Sequence, residues 1–151
     1  MEIVNVGHRP DLFEKSIHVF WDQWGNESNF KLYEDSIQQS LKTEEDLPLF
    51  YVMVHHEQII GTYALLRNDM NSRQDLCPWL ACLYVKEEYR GGEIGSRLLA
   101  HASKEVAELG FLDFYLSSDL EGYYEKYGWK HEGQAYGVFG DPIKVFQKRS
   151  G

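Results

Sequence analysis

Phe13, Ile17, Phe20, Trp21 and Trp24 recur every three or four positions until Gly25, and this spacing predicts an amphipathic helix whose first turn is opened by Pro10. A short strand over Glu2 to Val6 precedes it. A second helix, with Ser28 as its cap, carries Phe30, Tyr33, Ile37 and Leu41 on one face, and Pro48 sets its outer limit. Two apolar runs of strand length follow, Leu49 to Val54 and Ile59 to Leu66. The polar residues His55-His56-Glu57-Gln58 between them predict a hairpin.

After a polar loop from Arg67 to Cys77 comes Trp79-Leu80-Ala81-Cys82-Leu83-Tyr84-Val85, an unbroken apolar run expected of a strand covered on both faces at the centre of a sheet. Ile94 to Leu109 predicts a helix with Leu98, Leu99, Ala102, Val106 and Leu109 inside, closed by Gly110. Phe111 to Leu116 predicts another central strand, Asp119 to Lys126 a short helix, and Trp129 to Ala135 and Ile143 to Lys148 two last strands. The mixture of strands and helices places the chain in the α/β (α+β) class. No repeat or linker divides it, so one domain over residues 1–151 is expected.

Composition removes several function classes. Hydrophobic residues make up 43% of the chain, too many for a disordered protein, and no apolar run approaches the ~18 residues of a membrane span. The start lacks the basic and apolar regions of a secretory signal, so a soluble, cytoplasmic protein with no membrane partner is expected. Cys77 and Cys82 are the only cysteines, without the spacing of a zinc site, and are read as reduced and metal-free. The formal charge of −9, from 15 basic against 24 acidic residues, argues against nucleic acid as a partner. An acidic surface suits solubility and also the attraction of a cationic amine.

The candidate chemistry lies between the apolar strand and the long helix, in Glu88-Tyr89-Arg90-Gly91-Gly92-Glu93-Ile94-Gly95-Ser96-Arg97-Leu98-Leu99. Small residues crowd a helix start there. Unpaired N–H groups and the positive end of the helix dipole attract an anion, and glycines let backbone amides approach it. Neither GxGxxG nor GxxxxGK[ST] is present.

The segment resembles the acetyl-CoA motif of the GNAT superfamily of N-acetyltransferases, which reads Arg or Gln, two residues, Gly, one residue, Gly or Ala. Arg90, Ile94 and Gly95 fall into register, and Glu93 stands where the family has glycine. Glu93 is tolerable if it points to solvent at negative φ, whereas a carboxylate turned inward would repel a pyrophosphate. A later stretch, Gly122-Tyr123-Tyr124-Glu125-Lys126-Tyr127-Gly128-Trp129, is similar to the family's "LYEKLGF" element.

The resemblance implies a mixed central sheet of about six to seven strands flanked by about four helices in three layers. It implies acetyl-CoA as co-substrate, with no metal, bound by Leu83, Tyr84 and Val85 along the pantetheine arm and by Arg90, Gly91, Gly92, Glu93, Ile94, Gly95 and Ser96 at the pyrophosphate. Ser117 stands where the family often has a pantetheine-binding asparagine. Tyr124 becomes the general acid, a phenol of pKa about 10 that can protonate a departing thiolate; Tyr123, Tyr124 and Tyr127 equally suit aromatic packing.

The implied reaction is attack of a primary amine of a small molecule or peptide on the thioester, with a backbone N–H of the split central strand stabilising the oxyanion. Asp22, Glu27, Asp69, His18 and His55 are candidate bases for the ammonium proton. In this family the acceptor pocket is built from the first two helices and the loop after the third strand, where Trp21, Trp24, Phe30 and Tyr33 lie. The same resemblance admits a homodimer, and also a domain that binds acyl-CoA as a sensor without turnover.

Overall fold

The hairpin read after Pro48 forms as β2 (Leu49–His55) and β3 (Gln58–Leu66). Its two-residue turn holds His56 and Glu57 at φ of 50° and 63°, the left-handed geometry that matches the twist of the flanking strands. The strand period of two then sorts the side chains of β2. Leu49, Tyr51 and Met53 enter one core, and Phe50 and Val52 the other.

In the computed structural model, which describes residues 1–43 and 46–151, this hairpin belongs to a seven-stranded sheet of order β1-β2-β3-β4-β5-β7-β6. The other strands are β1 (Glu2–Asn5), β4 (Trp79–Val85), β5 (Asp113–Ser118), β6 (Lys130–Tyr136) and β7 (Pro142–Arg149). All neighbours are antiparallel except β4 and β5. Helices α1 (Phe13–Trp24) and α2 (Phe30–Thr43) pack Ile17, Phe20 and Ile37 against one face. Helix α3 (Ile94–Glu108) packs Leu98, Leu99, Ala102 and Val106 against the other, completing three layers. Each fully buried leucine of this kind contributes about 1.5–3 kcal/mol.

Three expectations are corrected. The described residues form three α-helices rather than about four, because Asp119 to Lys126 holds only a single 3-10 turn, Glu125–Tyr127. Gly122 there has φ 81°, and side chains take the backbone donors a helix would need: Ser118 Oγ accepts from the Leu120 N–H and Glu125 Oε2 from the Gly122 N–H. The Ser28 hydroxyl is turned to Asn26 Oδ1 and α2 starts two residues later, so Ser28 is not its cap. Strand β5 also starts later than read. Gly110, at φ 93°, ends α3 with the Phe111 N–H donating back to the Val106 carbonyl, which removes Phe111 from the ladder.

The apolar run β4 lies fourth of seven, at the sheet centre. Its first half is buried on both faces, but Cys82 to Val85 are only half-buried. The cause is a bulge. Ala64 stands opposite Ala81 and Thr62 opposite Tyr84, so β4 carries one extra residue, and Cys82 absorbs it at φ 54°. Side-chain parity switches there, and Leu80, Leu83 and Val85 all face the α3 side.

Candidate active site

β4 and β5 are parallel and paired at one position only, Trp79 opposite Tyr115, and beyond it the two central strands have no further ladder. Two cavities open from this gap. The first, of about 570 Å³, lies between the end of β4 and the start of α3. Leu83, Tyr84 and Val85 line it from the strand, and Arg90, Gly91, Gly92, Gly95 and Ser96 from the turn and the helix start. Five residues of the motif are therefore brought together around one space, whereas Glu93 and Ile94, expected at the same site, lie outside it.

Local chemistry explains the shape of the turn. Gly91 holds φ 84°, which a side chain would strain, and Arg90 folds back so that its Nε donates to the Val85 carbonyl at 2.7 Å. No side chain caps α3, so its first N–H groups remain available to an anion. Glu93, the N-cap residue, is exposed at φ −99°, ψ 6°, and lines neither cavity, and its backbone carbonyl accepts from Ser96 Oγ. Ile94 points into the core. A Cβ at Gly95 would stand 2.8 Å from the Tyr123 hydroxyl, so glycine there lets Tyr123 close over the helix start.

Tyr89, Leu120, Tyr123 and Tyr127 complete the lining of the first cavity. Sequence reasoning assigned none of them, although the aromatic run around Tyr124 was the available signal.

The second cavity, of about 310 Å³, lies on the other side of the gap and is lined by Trp24, Tyr33, Asp69, Cys82 and Ser117 among others. Leu83 and Tyr124 line both cavities and stand where they meet. Ser117 is thus in the second cavity rather than with the turn residues. Of the four aromatics expected in the acceptor pocket, Trp24 and Tyr33 reach the cavity. Trp21 and Phe30 instead pack edge to face at 5.2 Å, and Trp21 Nε1 donates to the Asn26 carbonyl.

Of the five candidate bases, only Asp69 lines the cavity. Asp22 and Glu27 are exposed, His18 packs on Phe30, and His55 stacks on His56 in the β2–β3 turn. The loop carrying Asp69 is fixed by its neighbours. Asn71 bonds Asn68 and Arg73, Ser72 exchanges two bonds with Tyr136, and Asn71 bridges Gly137 between β6 and β7.

Burial sets the protonation of this space. Desolvation pushes the Asp69 carboxyl up to about 6, within reach of neutral titration, and no ion pair or side-chain hydrogen bond among the described residues offsets it. The same effect pushes the Tyr124 phenol and the Cys82 thiol up to about 12, Tyr123 adding to the first and Asp69 to the second. Near neutral pH the site therefore offers a carboxylate ready to take a proton and a phenol certain to hold one. Both cysteines are free. Among the described residues no cluster of His, Cys, Asp or Glu could hold a metal, and no helix is long and apolar enough to cross a membrane.

A family model for the acetyltransferase (GNAT) domain matches residues 46–131, which include β4, the glycine turn, α3 and Tyr124. No curated protein matches the chain. Among solved structures, the aminoglycoside 6'-N-acetyltransferase from Enterococcus faecium is similar at 19% identity over 99% of this chain and 97% of that one, with a TM-score of 0.74. An aminoglycoside 6'-acetyltransferase type Ii is similar at 22% identity, with the same coverage and a TM-score of 0.72. A GNAT family acetyltransferase from Elizabethkingia anophelis with acetyl-CoA bound is similar at 16% identity over 77% of this chain and 82% of that one, with a TM-score of 0.58. At these identities the likeness establishes the fold.

Proposed function

Since the chain belongs to the acetyltransferase (GNAT) family, we propose that it is an acetyl-CoA-dependent N-acyltransferase that acetylates a primary amine of a small molecule or peptide. The observation that carries this reading is the meeting of two cavities at Leu83 and Tyr124, one built for an anionic donor and one holding a shielded carboxylate.

Acetyl-CoA supplies an activated acyl group as a thioester. The uncapped start of α3, with Gly91, Gly92, Gly95 and Ser96 around it, receives the pyrophosphate, and Arg90 adds a positive charge. Glu93 stays outside and leaves that charge balance intact. Leu83 and Val85, whose backbone faces the gap, offer the Leu83 carbonyl and the Val85 N–H to the pantetheine amides as an added strand would, while Tyr84, paired with Thr62 of β3, lines the cavity with its side chain. Trp24 and Tyr33 give the acceptor cavity aromatic walls that suit a cation or an apolar amine.

An ammonium of pKa near 10.4 must lose its proton before attack. Asp69 takes it, and the lift of its carboxyl to about 6 makes it a stronger base than an ordinary aspartate. The Leu83 N–H faces the negative charge that develops on the carbonyl oxygen. Tyr124 gives its proton to the departing sulfur, and the desolvation that raises the phenol raises the neighbouring thiolate as well, keeping the transfer feasible.

Thermal melting tests the donor half, because a ligand of the native state raises Tm with its affinity. CoA is expected to stabilise the protein more than ATP does. With acetyl-CoA and a panel of polyamines, aminoglycosides, amino acids and peptides, at least one amine should release free thiol. Tyr124→Phe should slow that release by about a hundredfold with CoA affinity retained. A CoA-stabilised protein that releases no thiol from any amine would be a binding domain without turnover, and ATP outranking CoA would overturn the donor assignment.

A further inference from the structure

The bulge in β4 sits beside the point where the two cavities meet, and one buried side chain on the neighbouring strand holds it. Thr62 is fully buried in β3, and its hydroxyl donates to the Cys82 carbonyl at 2.8 Å. This bond falls where the ladder is interrupted, between the pairs Ala64–Ala81 and Thr62–Tyr84. A buried hydroxyl bonded to this carbonyl satisfies a group that the bulge removes from regular pairing.

The direction of that carbonyl fixes more than the carbonyl. In a trans peptide the C=O of one residue and the N–H of the next point opposite ways across one rigid plane. With the Cys82 carbonyl turned toward β3 and held by Thr62, the Leu83 N–H is turned away from β3, toward the gap between β4 and β5. The antiparallel ladder gives the same orientation independently. Lys86 N–H donates to the Ile60 carbonyl at 2.8 Å, so alternate residues Lys86 and Tyr84 present their backbone groups to β3, while Val85 and Leu83 present theirs to the open side. The Val85 carbonyl, taken by Arg90 on that side, agrees.

We propose that Thr62 is a positioning residue for acyl transfer: its hydroxyl locks the Cys82–Leu83 peptide so that the Leu83 N–H is aimed at the carbonyl oxygen of the bound thioester. The inference rests on the function proposed above. Thr62 touches no substrate and acts through the bulge. Without the hydroxyl, the left-handed Cys82 has no partner for its carbonyl, and the peptide is free to rotate toward regular pairing and carry the N–H out of line.

Thr62→Val keeps the shape and removes the bond, and Thr62→Ser keeps the bond. The valine variant should lose about tenfold or more in kcat, as expected when an oxyanion donor is misaligned. CoA affinity and the amine KM should stay within about twofold. The serine variant should recover most of the rate. A second readout needs no turnover: in isotope-labelled protein the Leu83 amide proton should shift downfield when a ketone analogue of acetyl-CoA binds, in wild type and Thr62→Ser but not in Thr62→Val. Thr62→Ala serves in place of valine if that variant fails to fold.

Wild-type kcat and a wild-type Leu83 shift in the valine variant would overturn the proposal. Equal losses in kcat and CoA affinity without rescue by serine would do so too, since they mark a merely structural role. If no amine is acetylated by the wild type, the functional reading fails, and the Leu83 shift still decides what Thr62 does.

Discussion

Asp69→Asn should lower amine acetylation by about two to four orders of magnitude near neutral pH, the range for removing a general base, while CoA affinity is retained. The substitution keeps size and shape, so the loop tied to Tyr136 and Gly137 should stay in place. In the wild type kcat/KM should rise with pH through about 6, where the carboxyl ionises, and this limb should vanish in the variant. Stability should move the other way.

The folded-state carboxyl keeps its proton up to about 6, whereas the ordinary aspartate value is 3.8, so between these values the native state binds more protons and wild-type stability falls as pH rises. Above about 6 that cost is fully present. Asparagine carries no charge, and the variant should melt at the same temperature as wild type below pH 4 and several degrees higher at pH 7. The shift corresponds to at most about 3 kcal/mol. A pH–rate limb that survives the substitution would remove Asp69 from the role of base, and a lower Tm at pH 7 would show that its charge is compensated.

The second large effect is expected at Trp79. This side chain is fully buried, donates its Nε1–H to the Leu76 carbonyl at 2.7 Å, and fills a core with Ala135 and Val145. It also stands at the one pair that joins β4 to β5. Trp79→Ala should cost about 3–5 kcal/mol, a large part of the roughly 5–15 kcal/mol that holds a domain together. Urea unfolding would read this directly, and Trp79→Phe, which keeps one aromatic ring and loses the other with its hydrogen bond, should cost less. Activity per folded molecule should fall as well, because both cavities are walled by strands that this residue fastens. A loss below about 1 kcal/mol in the alanine variant would show that the junction is held elsewhere.

Much of this architecture is legible in short stretches of chain. The span of β4 follows from seven consecutive apolar residues, and the start of α3 and its end at Gly110 follow from spacing and a glycine. The crowding of Gly91, Gly92 and Gly95 at a helix start marks the proposed anion site, because the N–H groups and the glycines that expose them are adjacent in sequence. The short helix expected over Asp119 to Lys126 did not form, since Ser118 and Glu125 side chains compete for the donors a helix would use.

Asp69 carried no signal of its own. A carboxylate in a polar loop looks like any other until the fold sets Trp24, Tyr33 and Cys82 around it and removes part of its water. The bulge was equally silent, because Ala81-Cys82-Leu83 is a plain apolar run and its left-handed residue is no glycine.

The sequence by itself therefore determined most of the strands, the three long helices and the glycine turn at the start of α3, all of which arise from contacts within a few residues. The tertiary structure alone decided where the two central strands part, after Trp79, and that Leu83 and Tyr124 join two cavities. It also decided which of five candidate bases is shielded, since a gap between strands and the desolvation inside it are made by residues far apart in the chain.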